Sequence, residues 1–153
     1  MAASVVSKKT FLVIALSAFI FVPVHAFGDD TSGRAKLIGS WQPQDPGAKE
    51  SGAWTFEQKG NDRIRVSYTV KDQKVFEFEC NTTGMDCEVK DSGKSAKVSM
   101  WYIGSKLVEL ETKGSEVVKR RFGVGDGDSL EVETIPVQPN GQTEKVQFRR
   151  VSR

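Results

Sequence analysis

The chain of 153 residues carries 22 Lys plus Arg against 20 Asp plus Glu, with one histidine and two cysteines. That length is one domain's worth, and the small charge excess is far from the basic surplus of a nucleic-acid binder. A single histidine leaves almost no room for Ser-His or Cys-His nucleophile pairs, or for imidazole metal ligands.

The first element in chain order is a leader. Lys8 and Lys9 precede an uncharged run from Phe11 to Val22, and Val24-His25-Ala26 supplies the small residues of a secretory cleavage site. The run has 12 residues, short of the roughly 20 that span a bilayer. Residues 1 to 26 are therefore read as a signal peptide, similar to bacterial ones, of a secreted or periplasmic protein. Cleavage removes His25, Lys8 and Lys9 and leaves 127 residues, Phe27 to Arg153, with 20 basic and 20 acidic side chains. No membrane span, nucleic acid, cofactor or metal is expected of that domain. N-terminal sequencing of the exported protein should begin at or near Phe27; Met1 retained on a membrane-bound form would reject the leader.

Next comes KLIGSWQP, with Gly39 and Trp41, just ahead of a loop punctuated by Pro43 and Pro46. Beyond Trp41 the pattern is alternation, not helix. Trp54 and Phe56 alternate, then Ile64, Val66, Tyr68 and Val70 against polar neighbours, then Phe76, Phe78 and Cys80. Val98, Met100 and Tyr102 follow, and LVELET, VVKRRF, LEVETI and KVQFRRV complete the series. Short turns such as Gly60-Asn61-Asp62, Lys71-Asp72, Gly104-Ser105 and Pro139-Asn140-Gly141 separate the runs, as antiparallel neighbours require. The expected fold is all-β, a single antiparallel up-and-down barrel of about eight to nine strands, because curling closes a meander and removes its edges. An open sandwich is the alternative.

Cys80 and Cys87 flank six residues with Gly84 in the middle. In an exported chain this isolated pair reads as a disulfide tying the ends of a hairpin. A two-thiolate metal site or a redox pair lacks further ligands or the Cys-x-x-Cys spacing. Asn81-Thr82-Thr83 matches a glycosylation acceptor, to which the bacterial-looking leader gives little weight. Asp126 and Asp128 in GVGDGDS lie too close to the next strand for a calcium loop and read as a hairpin turn.

A Gly-x-Trp ahead of a meander resembles the lipocalin-like proteins of the calycin superfamily, and KRRFGVGDGDSLEV (119 to 132) is similar to a stretch of their small secreted bacterial members. The resemblance implies a lipocalin-like barrel in which Trp41, with Gly39, closes the bottom under an arginine of the last strand. Parity favours Arg149 for that role, since Arg150 shares the face of Phe148 and points to the lumen. The same resemblance implies that Arg120 and Arg150 meet the carboxylate of an amphiphilic ligand. The alternative is internal pairing, with Glu77, Glu109, Glu131 or Glu133, or stacking on Trp41. Tyr68, Phe76, Phe78, Met100, Phe122 and Phe148 are expected to line the interior, as a ligand wall or as plain core. Two functions follow: a non-catalytic binding protein for a small apolar or amphiphilic ligand, or a filled barrel that presents hairpin loops to a protein partner, such as an exported enzyme that it inhibits. A cavity of several hundred cubic ångströms would favour the ligand.

Overall fold

The computed structural model describes Asp30 to Ser152, apart from residues 46, 48 to 51 and 92. The leader expected at residues 1 to 26 lies outside the described residues. One short helix, α1 (Asp30–Ala35), precedes ten strands: β1 (Gly39–Pro43), β2 (Ala53–Lys59), β3 (Arg63–Val70), β4 (Gln73–Asn81) and β5 (Thr83–Asp91), then β6 (Lys94–Ile103), β7 (Lys106–Lys113), β8 (Glu116–Val124), β9 (Ser129–Gln138) and β10 (Glu144–Ser152). Among the described residues no helix is long and apolar enough to cross a membrane.

All ten strands form one antiparallel sheet in the order β4-β3-β2-β1-β10-β9-β8-β7-β6-β5. Each strand except at one place pairs with its sequence neighbour, and β1 pairs with β10 to bring the sheet round on itself. The barrel is thus the expected class with more strands than the alternation suggests. The extra ones are GSWQP, only five residues long and ending in Pro43, and TGMDCEVKD, whose outward positions are charged.

Inward side chains follow the period of two. Phe56, Ile64, Val66, Val98, Met100, Leu107, Phe122, Leu130, Val132 and Phe148 are all essentially fully buried. Their register builds the rows: Tyr102, Leu107, Phe122 and Val132 form one, and Met100, Glu109, Arg120 and Thr134 the next. Outward positions carry ion pairs, such as Arg65 with Glu57 and Glu79, and Arg121 with Glu133. These exposed pairs contribute about 0–1 kcal/mol each; burial of the inner rows carries the fold.

The ring has a seam. β4 and β5 follow one another in sequence, yet they stand at the two ends of the hydrogen-bonded order. The expected hairpin with Gly84 at its tip is therefore corrected. The turn centres on Thr82, where the Asn81 carboxamide oxygen accepts from Thr83 N and Oγ1 in a local Asx-type turn. Thr82 N and Oγ1 both donate to the Asp62 carbonyl, which anchors the turn to the β2–β3 connection. Gly84, with φ at 87°, falls in an irregularity of the β5–β6 pairing between Thr83 and Asp86. A bulge of that kind bends the strand, and it carries β5 off the edge of β4.

The disulfide expected from the sequence is present, and it spans this seam: Cys80 on β4 and Cys87 on β5, with Cα atoms 5.9 Å apart. It therefore joins two strands that no ladder holds. Replacing both cysteines by serine should lower the unfolding free energy by about 2–3 kcal/mol, the value for closing so short a loop. The check is the shift of the urea midpoint; an unchanged midpoint would show the seam to be held by packing alone.

Candidate functional site

The two ends of the barrel differ. At one end Trp41 is completely buried and donates Nε1 to the Leu37 carbonyl at 2.9 Å. Leu37, also buried, follows α1 and plugs the space below it. Gly39 sits between them with φ at 133°, a backbone region in which a side chain is strained. The Arg150 guanidinium lies 4.1 Å from the centre of the Trp41 ring. Its Nη1 donates to the Ile38 carbonyl at 2.7 Å, its Nη2 to the Lys36 carbonyl, and its Nε to Asp128 Oδ1 at 3.1 Å. Asp128 belongs to the β8–β9 turn, so one arginine ties three segments together.

The closing arginine is thus Arg150, and the preference for Arg149 is corrected. Trp41 pairs directly with Arg150 across β1 and β10, with a register shift between Ser40 and Trp41. At the very end of a barrel an inward side chain meets the plug rather than the lumen. Arg149 is exposed on the outside, beside Gln42, Pro43, Ala53 and Lys71 at a surface groove. Arg34 on α1 adds to the closed end, stacking 4.6 Å from the Tyr102 ring and donating Nε to the Gly104 carbonyl.

Arg120 lies far from Arg150. It is level with Glu144 through Thr134, six residues short of Arg150 on β10, or about 20 Å at roughly 3.3 Å per residue. The two arginines therefore do not converge on one carboxylate, and this expected pairing is corrected. Both guanidiniums are engaged within the protein. Arg120 Nη1 donates to Glu109 Oε1 at 2.7 Å and to Glu111 Oε2 at 2.8 Å. Glu109 is 1% exposed and its other oxygen, Oε2, has no hydrogen-bond partner. Burial pushes the Glu109 carboxyl above its usual range, against the pull of Arg120 and with the push of Glu111. Burial by itself would lower the Arg120 pKa, but the charges of Glu109 and Glu111 more than reverse this, so the guanidinium stays ionised.

An aromatic wall faces the cluster. Trp54 contacts Tyr68, Phe76 and Phe122 at ring separations of 4.7, 5.6 and 5.0 Å, and Phe76 stacks on Phe78 at 5.9 Å. Arg120 lies 6.0 Å from the Trp54 ring. Trp54 is 2% exposed and its Nε1, like Glu109 Oε2, has no hydrogen-bond partner. Of the residues expected inside, Met100, Phe122 and Phe148 belong to the buried core, and Tyr68, Phe76 and Phe78 pack half-buried against it. Gly52 touches this wall: its N–H donates to Tyr68 Oη at 3.2 Å, and a Cβ there would stand 2.3 Å from the tyrosine ring. The interior space bounded by Phe76, Phe78, Val89, Val98, Glu109 and Glu111 is about 20 Å³, and it lies beneath the seam.

Glu109, Glu111, Trp54 and Asp128 carry more of these two sites than the sequence suggests. LVELET has apolar residues at both parities, Leu107 inward and Val108 and Leu110 outward, so alternation does not mark Glu109 as buried. The one cue is Arg120 itself, an inward cation that requires a partner.

No family model matches the sequence, and no curated protein matches it. Solved structures do. Secretory abundant heat soluble protein 4 from Ramazzottius varieornatus superposes with a TM-score of 0.61 at 15% identity, over 76% of this chain and 95% of its own. The fluorescent protein UnaG gives 0.61 at 16% identity, over 76% and 98%. The Schistosoma mansoni fatty acid binding protein in complex with arachidonic acid gives 0.59 at 16% identity, over 78% and 99%. At such identities the likeness is one of fold. With a Trp41 plug under Arg150 and a near-closed antiparallel ring, the chain has the β-barrel fold of these proteins.

Proposed function

We propose that the protein is an exported, non-catalytic binding protein that admits one small apolar or amphiphilic molecule to the lumen through the β4/β5 seam. The observation that carries this reading is the pair of unpartnered buried polar atoms, Glu109 Oε2 and Trp54 Nε1, set in an aromatic lumen. A buried polar group without a partner costs about 1–3 kcal/mol, a cost that a bound ligand with matching groups removes. The fatty acid binding protein of like fold, in complex with arachidonic acid, supports the same reading.

The interior space of about 20 Å³ is far below the roughly 300–1,000 Å³ of drug-sized sites. A tail can enter only by displacing side chains. Phe76 and Phe78 are the ones placed to move, because β4 has a ladder partner, β3, on one side only. Mass spectrometry of the natively purified protein should find a co-purifying small molecule that denaturation releases. A clean apo mass, with no thermal shift from any amphiphile tried, would reject the reading.

The small interior also favours the second reading, a filled barrel that acts through a protein partner. In that case a protein, not a small molecule, should co-elute with the native material on size exclusion.

A further inference from the structure

The lumen reading leaves the head group open, and the polar atoms inside the barrel narrow it. Glu109 and Glu111 bring two negative charges to the cluster and Arg120 brings one positive, so the site has an excess of acid. Arg120 Nη1 is spent on both carboxylates, at 2.7 and 2.8 Å. Among the fully buried side-chain atoms of the described residues, what is unsatisfied is one acceptor, Glu109 Oε2, and one donor, Trp54 Nε1. Their side chains both border the same guanidinium, Glu109 by hydrogen bond and Trp54 at 6.0 Å from its ring.

We propose that the lumen selects an apolar molecule with a hydroxyl head and discriminates against a carboxylate head. This rests on the lumen being a binding site. A hydroxyl supplies one donor and one acceptor: it donates to Glu109 Oε2 and accepts from Trp54 Nε1. A carboxylate has no donor to offer Glu109, and it adds a second uncompensated charge where desolvation is expensive. An ammonium satisfies Glu109 but leaves the indole N–H unpartnered. Size agrees with the hydroxyl. The space of about 20 Å³ beside Glu109 exceeds the roughly 10–15 Å³ that one water-sized group needs. That space is lined by Glu109 and Glu111 and not by Trp54, so the hydroxyl meets Glu109 first, and reaching the indole N–H, like seating the tail, requires Phe76 and Phe78 to shift toward the seam.

The test is isothermal titration of the full exported protein at pH 7 with 1-octanol, octanoate and octylamine. Octanol is expected to bind at least about tenfold more tightly than octanoate, the size of one hydrogen bond to a charged group. Glu109→Gln should bring the two within about threefold of each other. Trp54→Phe, which keeps a ring but loses the N–H, should weaken octanol severalfold and leave octanoate unchanged. Thermal melts establish that both variants are folded. Octanoate binding as tightly as octanol, or a preference untouched by Glu109→Gln, overturns the inference while the lumen stands as a binding site. Tighter binding of octylamine than of octanol overturns the hydroxyl assignment. No heat from any of the three rejects the lumen reading and this inference with it.

Discussion

Trp41→Ala is expected to lower the stability of the domain by about 3–5 kcal/mol, the range for truncating a buried aromatic residue. The indole is fully buried, and its loss also removes the hydrogen bond to the Leu37 carbonyl and the platform for Arg150. Against a total of about 5–15 kcal/mol for a small domain, that is a large share. Destabilisation alone does not identify the role, since Trp54 is buried as well. The specific result is coupling. A double-mutant cycle of Trp41→Ala with Arg150→Ala should return about 0.5–2 kcal/mol of interaction, as a cation over an indole provides. The same cycle with Arg149→Ala should return none, and Arg149→Ala alone should fall within about 0.5 kcal/mol of wild type. Equal coupling for the two arginines, read from urea melts, would remove the closure role from Arg150.

Arg120→Leu is expected to cost about 3–5 kcal/mol at pH 7, because it strands two carboxylates that were paired inside the barrel. The pH dependence gives this result its signature. In the wild type, burial holds the folded Glu109 carboxyl above the ordinary value of 4.5, so the folded state binds its proton more tightly than the unfolded chain. Stability from this group is fully present below that ordinary value and declines as pH rises through the folded one. Without Arg120 the folded value rises further, so the variant should lose stability more steeply from about pH 4.5 upward and be nearest to wild type in acid. Adding Glu109→Gln to Arg120→Leu should recover part of the loss at pH 7. A deficit that is flat from pH 4.5 to 8, by thermal melts, would mean that packing rather than charge makes up the cost.

Much of the barrel is written in alternation. Ile64, Val66 and Val98, Met100 mark their inner faces, because Arg63, Arg65, Lys97 and Ser99 fill the positions before and between them. β1 and β5 are harder to see. A strand of five residues ending in proline has little room to alternate, and β5 has a ladder partner on one side only, so its outer positions tolerate charge as edge strands do. The seam is invisible for a different reason: alternation reports which way side chains point, not whether two consecutive strands are hydrogen-bonded. The disulfide was legible from an isolated cysteine pair and an expected export signal, while its structural task was not. The exchange of Arg149 for Arg150 has a geometric cause. Parity distinguishes inside from outside, but it does not tell the middle of a lumen from its plugged end. Glu109 was one of four carboxylates open to Arg120, and alternation did not single it out, because Leu107, Val108 and Leu110 make both faces of β7 read as apolar.

The pairing of β1 with β10 bears on the order of events during folding. Every other ladder joins strands close in sequence, whereas Arg150 must find the Ile38 carbonyl across 112 residues. Closing so long a loop is entropically costly and comes late, and a fold with such non-local pairing is intrinsically slow. Until β10 pairs, the chain is a meander with open edges at β1 and β9, which are ready templates for another strand. A chain truncated before β10 would keep those edges permanently, and the natural fate of such a fragment is to pair with its own copies rather than to fold alone.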